Sequence, residues 1–187
     1  MTDAMKTYVR IVDRMNRWIG RIVMYGIFVM MGILLWSSIS KTFFLPSLWT
    51  LEMAQFAMVA YYILGGPYSI QMGSNVRMDL LYAELSDRRK AQIDAMTVLF
   101  LIVYLVFLLW GGWASLMYSF QYGGERSPTA WRPYLWPIKT IMVTGIFLML
   151  LQAVSELFKD ILRLTGHDMG QKDVDDTRLS AEEDPAA

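Results

Sequence analysis

The chain has no cysteine and a single histidine, His167, in 187 residues. The first absence removes thiolate catalysis, disulfides, iron–sulfur clusters and Cys-ligated zinc, and the second removes a two-histidine haem or a His-rich metal site. Charge is scarce too: charged residues make up 18% of the chain, and 17 basic side chains balance 17 acidic ones, so net charge points to neither a nucleic acid nor an acidic partner. Catalytic patterns are also missing. Ser37, Ser38 and Ser40 have no histidine near them, carboxylates do not recur at helical spacing within the apolar runs, and no glycine-rich segment opens a helix after a strand. The sequence does not read as an enzyme, and it offers no cofactor site.

What it has is hydrocarbon, with 55% of residues hydrophobic. Four apolar runs, approximately 22–39, 48–70, 95–120 and 135–158, are each long enough to cross about 30 Å of bilayer as a helix. The expectation is an all-α integral membrane protein with four transmembrane helices. A cleaved signal peptide ending near Ser38 and Ser40 is the alternative for the first run, whose apolar core is longer than such segments usually carry. Lys6, Arg10, Arg14, Arg17 and Arg21 precede the first run, Arg77, Arg88, Arg89 and Lys90 follow the second, and Lys159, Arg163, Lys172 and Arg178 follow the fourth. The opposite side holds only Lys41, Arg126 and Arg132, with Lys139 just inside the fourth run, which predicts both termini on the cytoplasmic side.

Before the first run, Met5, Tyr8, Val9, Ile11, Val12, Met15, Trp18 and Ile19 recur at helical spacing with cations between them. This predicts an amphipathic helix. It either lies in the inner headgroup layer, anchored on phospholipid by Arg10, Arg14, Arg17 and Trp18, or extends the first span. Between the second and third spans, Val76, Leu80, Leu81 and Leu85 suggest a short cytoplasmic interfacial helix. The outer connection QYGGERSPTAWRPYLWP has glycines and prolines that forbid regular helix and aromatics suited to the membrane boundary. Residues 1–165 read as one membrane domain, and 166–187 as an acidic, disordered cytoplasmic tail.

Two intramembrane charges stand out. Glu52 and Lys139 each lie four residues into an inward-running span, about 6 Å below the outer edge. Each either snorkels to water independently or marks an assembly contact, in which Glu52 pairs with Lys139 or with a donor on another subunit and turns Gln55, Tyr62 and Gly66 toward a partner. A proton relay through Glu52 is the third reading. Gly65, Gly66 and Pro67 read either as a helix break at a substrate site or as a kink or close helix approach, the second being favoured.

An early carboxylate in span two, NVRMDLLY just after it and ERSPTAWRPYLWPIKT leading into span four together resemble the small membrane subunit, DctQ-like, of tripartite ATP-independent periplasmic (TRAP) transporters. The resemblance runs over roughly 15–163. Asn75 stands where the family pattern often has His, with Arg77 and Asp79 following as a cytoplasmic structural motif. The resemblance implies a bacterial inner-membrane protein partnered by a large multispan permease subunit and a periplasmic substrate-binding protein. Substrate and coupling sodium would sit in the large subunit during organic-acid uptake, while this chain braces the scaffold. The outer loop, through Glu125, Arg126, Trp131, Arg132 and Pro133, would contribute to binding-protein docking. Two other readings are a self-contained homodimeric proton-coupled transporter and a membrane anchor of a respiratory complex.

Overall fold

The computed structural model describes residues 2–44, 47–72, 87–121 and 124–164, with regular structure that is all helical apart from one isolated bridge. The helices are α1 (Thr2–Met24), α2 (Gly26–Phe43), α3 (Thr50–Gln71), α4 (Asp87–Gln121) and α5 (Trp136–Leu164). The expected helix between spans two and three, the motif of Asn75, Arg77 and Asp79, and the acidic tail lie outside the described residues.

Among the described residues, three helical stretches are long and apolar enough to cross a bilayer: Met5–Phe43, Met96–Gln121 and Trp136–Leu162. The fourth expected span, α3, is a continuous 22-residue helix, about 33 Å long, but Glu52, Gln55, Gly65, Gly66 and Pro67 dilute its apolar character. α1 and α2 join through a single turn residue, Tyr25, where the ladder tightens to i→i−3 bonds (Tyr25 N to Ile22 O, 3.2 Å; Phe28 N to Tyr25 O, 3.1 Å).

The packing order makes a row. α4 packs on α5, α5 on α3 and α3 on α2, while α1 rests on both α3 and α5; among the described residues α4 makes no substantial contact with α2 or α3. The core is the seam between α4 and α5, where Leu105, Ile146 and Ala153 are buried among Leu101, Leu109, Met142 and Leu150. A row buries little of each helix. On α4, Phe100, Tyr104, Phe107 and Trp110 all point outward, and on α2 the buried side chains are Ser37 and Ser40. Thr50 of α3 donates to Ser37 Oγ at 3.1 Å, so Ser37 and Ser40 of α2 turn inward while most of its hydrocarbon turns out. That is the arrangement a lipid solvent selects, because exposed hydrocarbon costs nothing there while an unmade hydrogen bond does.

Glycines set the close approaches. A Cβ at Gly145 would collide with Ile63 and its backbone carbonyl, and one at Gly66 would collide with Met149. Pro67 has no N–H to give the Ile63 carbonyl, and Gly145 lets α5 come up against that exposed oxygen. α3 runs unbroken through Gly65, Gly66 and Pro67, so these residues serve close packing and not a helix break. Ile63 against Gly145 and Gly66 against Met149 make α3 and α5 run in the same direction. Ser37 against Thr50 and Gly20 against Tyr68 make α2 and α1 run opposite to α3.

Candidate functional site: polar clusters at two ends of a helical layer

At one end of the layer, Lys139 in the first turns of α5 forms an ion pair with Glu125 of the preceding loop. Glu125 Oε2 also accepts from Ser119 Oγ of α4 at 2.8 Å, and the Lys139 ammonium donates to the Ser115 carbonyl at 3.4 Å. The hydrogen bond from Lys139, and then that from Ser119, holds the Glu125 carboxyl below the usual carboxylate range. The loop closes on itself by backbone bonds from Ser127 to Pro133 and from Leu135 to Glu125, each 3.0 Å. Arg126 lies over the Tyr134 ring, 4.4 Å from its centroid. Gly124 has φ +100°, and a Cβ there would strike the Tyr134 ring, so the tight return requires glycine.

This geometry corrects one expectation directly. Lys139 pairs with Glu125, not with Glu52. The register between α3 and α5 puts Glu52 level with Tyr134 and Leu135, about one turn beyond Lys139, and Lys139 faces α4 and the loop. Glu52 itself does not snorkel: it is 6% exposed, and its Oε2 is buried with no hydrogen-bond partner among the described residues. It shares the α3 face that meets α5 through Ile63, three turns on. Gln55 and Tyr62 are exposed, whereas Gly66 packs against Met149 within the chain, so these residues do not form one outward face. Of the outer-loop candidates, Arg126, Trp131 and Arg132 are exposed, Pro133 is half-buried, and Glu125 is tied inward.

At the other end lies a cluster that sequence reasoning did not assemble. Gln152 and Ser155 of α5 are 0% exposed and Asn16 of α1 is 1% exposed. Asn16 Nδ2 donates to Gln152 Oε1 at 2.7 Å; Gln152 Nε2 donates to Asp13 Oδ1 and Glu156 Oε1, both at 3.0 Å; and Ser155 Oγ donates to Asp13 Oδ1 at 3.1 Å. Lys159 closes the network with ion pairs to Asp13 Oδ2 at 2.7 Å and Glu156 Oε1 at 2.8 Å. Tyr8 adds an edge-to-face contact with Phe158 and a 3.3 Å bond from its hydroxyl to the Leu151 carbonyl. Asn16 meets Gln152, Asp13 meets Ser155 and Lys159, and Tyr8 meets Phe158, so α1 runs opposite to α5. The signal was present as the spacing of Gln152, Ser155, Glu156 and Lys159 on one stripe, and as Asp13 and Asn16 interrupting the stripe of Val9, Val12 and Gly20.

The membrane-anchor candidates fall on the remaining surface of α1: Arg10, Arg14 and Trp18 are exposed and Arg17 is half-buried. No group of metal-ligating side chains occurs among the described residues. Both clusters therefore fasten elements together: Glu125 and Lys139 tie the loop to α4 and α5, and Asp13 and Lys159 tie α1 to α5.

No curated protein matches the chain. The family described as "Tripartite ATP-independent periplasmic transporters, DctQ component" matches residues 30–163, which takes in α2 to α5 nearly whole. The chain belongs to this family, the DctQ component of tripartite ATP-independent periplasmic transporters.

Proposed function

We propose that the chain is the bracing subunit of a TRAP-type secondary transporter, a stationary layer of helices against which a large permease subunit works. The observation that carries this reading is the row arrangement. Helices that pack side by side enclose no space for a solute, and they present a broad apolar face to lipid and to a neighbour. In this reading α3 is a fourth span, both termini are cytoplasmic in a bacterial inner membrane, and substrate and coupling sodium bind the large subunit during organic-acid uptake. Four spans are compatible with the helix directions: α2 runs opposite to α3, α4 opposite to α5, and α3 with α5, so direction alternates in chain order from α2 to α5 and both ends return to one side.

Glu52 is the assembly residue of this proposal. A buried carboxylate oxygen without a partner among the described residues is costly, and docking of the large subunit supplies the missing donor or the rearrangement that relieves it. The outer loop, held rigid by Glu125 and Lys139, offers Arg126, Trp131 and Arg132 to the periplasmic binding protein. Affinity purification of the chain from its own membranes in mild detergent, with mass spectrometry of what accompanies it, tests the reading. A multispan permease is the expected companion. Recovery of the chain alone, or with cofactor-bearing respiratory subunits, overturns it.

A further inference from the structure

α1 has a second surface that its packing leaves unused. Val9, Val12, Asn16 and Gly20 face α3 and α5, which turns Ile11 and Trp18 outward at 62% and 67% exposure. Arg10 and Arg14, one turn apart, stand beside them, and an open groove runs between these side chains and Met15. Neither arginine has an ion-pair or hydrogen-bond partner among the described residues. We infer that this groove is a binding site for an anionic phospholipid, its phosphate held by Arg10 and Arg14 and its upper acyl chain laid along Ile11, Met15 and Trp18.

The occupant follows from the lining. A small soluble anion would satisfy the guanidiniums but leave Ile11 and Trp18 in water; an apolar chain alone would leave two cations desolvated without a counter-charge. A phospholipid supplies both halves. Arg10 and Arg14 lie four residues, about 6 Å, apart along the helix axis, a spacing from which two guanidiniums can share the oxygens of one phosphodiester. No carboxylate lines the groove to receive the ammonium of a zwitterionic headgroup, which favours a net anionic lipid. Depth agrees as well: the continuous stretch Met5–Phe43 is 39 residues, about 58 Å, so one end must leave a 30 Å hydrocarbon core. The Asp13–Lys159 network fixes which face of α1 looks outward, so the site is preformed. The inference rests on membrane placement of the chain and not on the identity of its transport partner.

Native mass spectrometry of the full chain in detergent, titrated separately with phosphatidylglycerol, phosphatidylcholine and inorganic phosphate, tests it. The unmutated chain should retain phosphatidylglycerol in preference to phosphatidylcholine and show no binding of phosphate alone. Arg10→Gln with Arg14→Gln should weaken phosphatidylglycerol about 25-fold, roughly fivefold for each cation removed, while Arg10→Lys with Arg14→Lys keeps most of the affinity. Trp18→Ser should weaken it with both arginines present. Undiminished phosphatidylglycerol binding by the double Gln variant, equal binding of phosphatidylcholine, phosphate binding of similar strength, or a groove-dependent dimer of the chain would each overturn the lipid site.

Discussion

Replacing Lys159 by Met should loosen α1 from α5. The substitution keeps length and volume but removes the ammonium that sits 2.7 Å from Asp13 Oδ2 and 2.8 Å from Glu156 Oε1. Two carboxylates then share the single Gln152 amide, and Asp13 keeps only that bond and the one from Ser155. Removing one partner of a fully buried pair costs about 3–5 kcal/mol. The three side chains retain 17 to 24% exposure, so screening and local rearrangement reduce the expected loss to about 2–3 kcal/mol. For a chain of this size that is a fall in melting temperature on the order of 5–10 °C. The assay is thermal unfolding in detergent combined with limited trypsin digestion, which should cut earlier at Arg10 and Arg14 once α1 detaches. Asp13→Asn in the same background should recover about 1–2 kcal/mol, because the neutral amide no longer needs the cation. Lys159→Met melting with the unmutated chain, or strict additivity of the two changes, would refute the idea that this network is one unit.

Other perturbations separate the remaining contacts. The lowered Glu125 carboxyl stabilises the loop only while ionised, so this contribution is full above the ordinary carboxylate range and is lost as pH falls through the lower folded-state value; the protection of 124–135 against hydrogen exchange, corrected for the intrinsic pH dependence of amide exchange, should be flat near neutrality and fall only in strong acid, and a fall already near pH 6 would contradict it. Charge reversal at Lys139 should weaken the complex and be partly rescued by Glu125→Lys, whereas Glu52→Lys should not rescue it; rescue by Glu52→Lys in complex recovery would restore the pairing that the geometry rejects. Glu52→Gln should be mild and Glu52→Lys alone should lower recovery of intact complex severalfold; recovery at the unmutated level would remove Glu52 from assembly. Gly145→Ala should destabilise by about 1–3 kcal/mol because it meets backbone at Ile63, while Gly66→Ala meets the flexible end of Met149 and should cost less; the reverse order in melting temperature would mean α3 and α5 pack differently.

The long helices were legible because hydrocarbon solvent enforces them: α2, α4 and α5 follow the apolar runs closely, with α4 reaching back to Asp87. The amphipathic period of α1 was legible too, but its use was only half so. The apolar stripe Val9 and Val12 packs against protein, while Ile11 and Trp18 stay exposed, and a moment cannot say which part of an apolar face the rest of the chain will cover. Membership in the family was readable from the order of short motifs relative to the runs. Partner choice among charges was not. Glu52 and Lys139 share a depth when each is counted from its own run, but the true register depends on which glycines admit which neighbours, and that is settled by Gly66 and Gly145 in three dimensions. The Asp13–Lys159 network escaped for a similar reason, since its members lie more than a hundred residues apart and each looked like an ordinary solvated charge.

The central claim is that this chain braces a transporter and moves no solute itself, and flux through reconstituted liposomes tests it most directly. The purified chain alone, under an inward sodium gradient and with binding protein present, should give no saturable organic-acid uptake. The large subunit with the chain should transport, and the large subunit with the Lys159→Met chain should transport less. Saturable sodium-driven uptake by the chain alone would contradict the account.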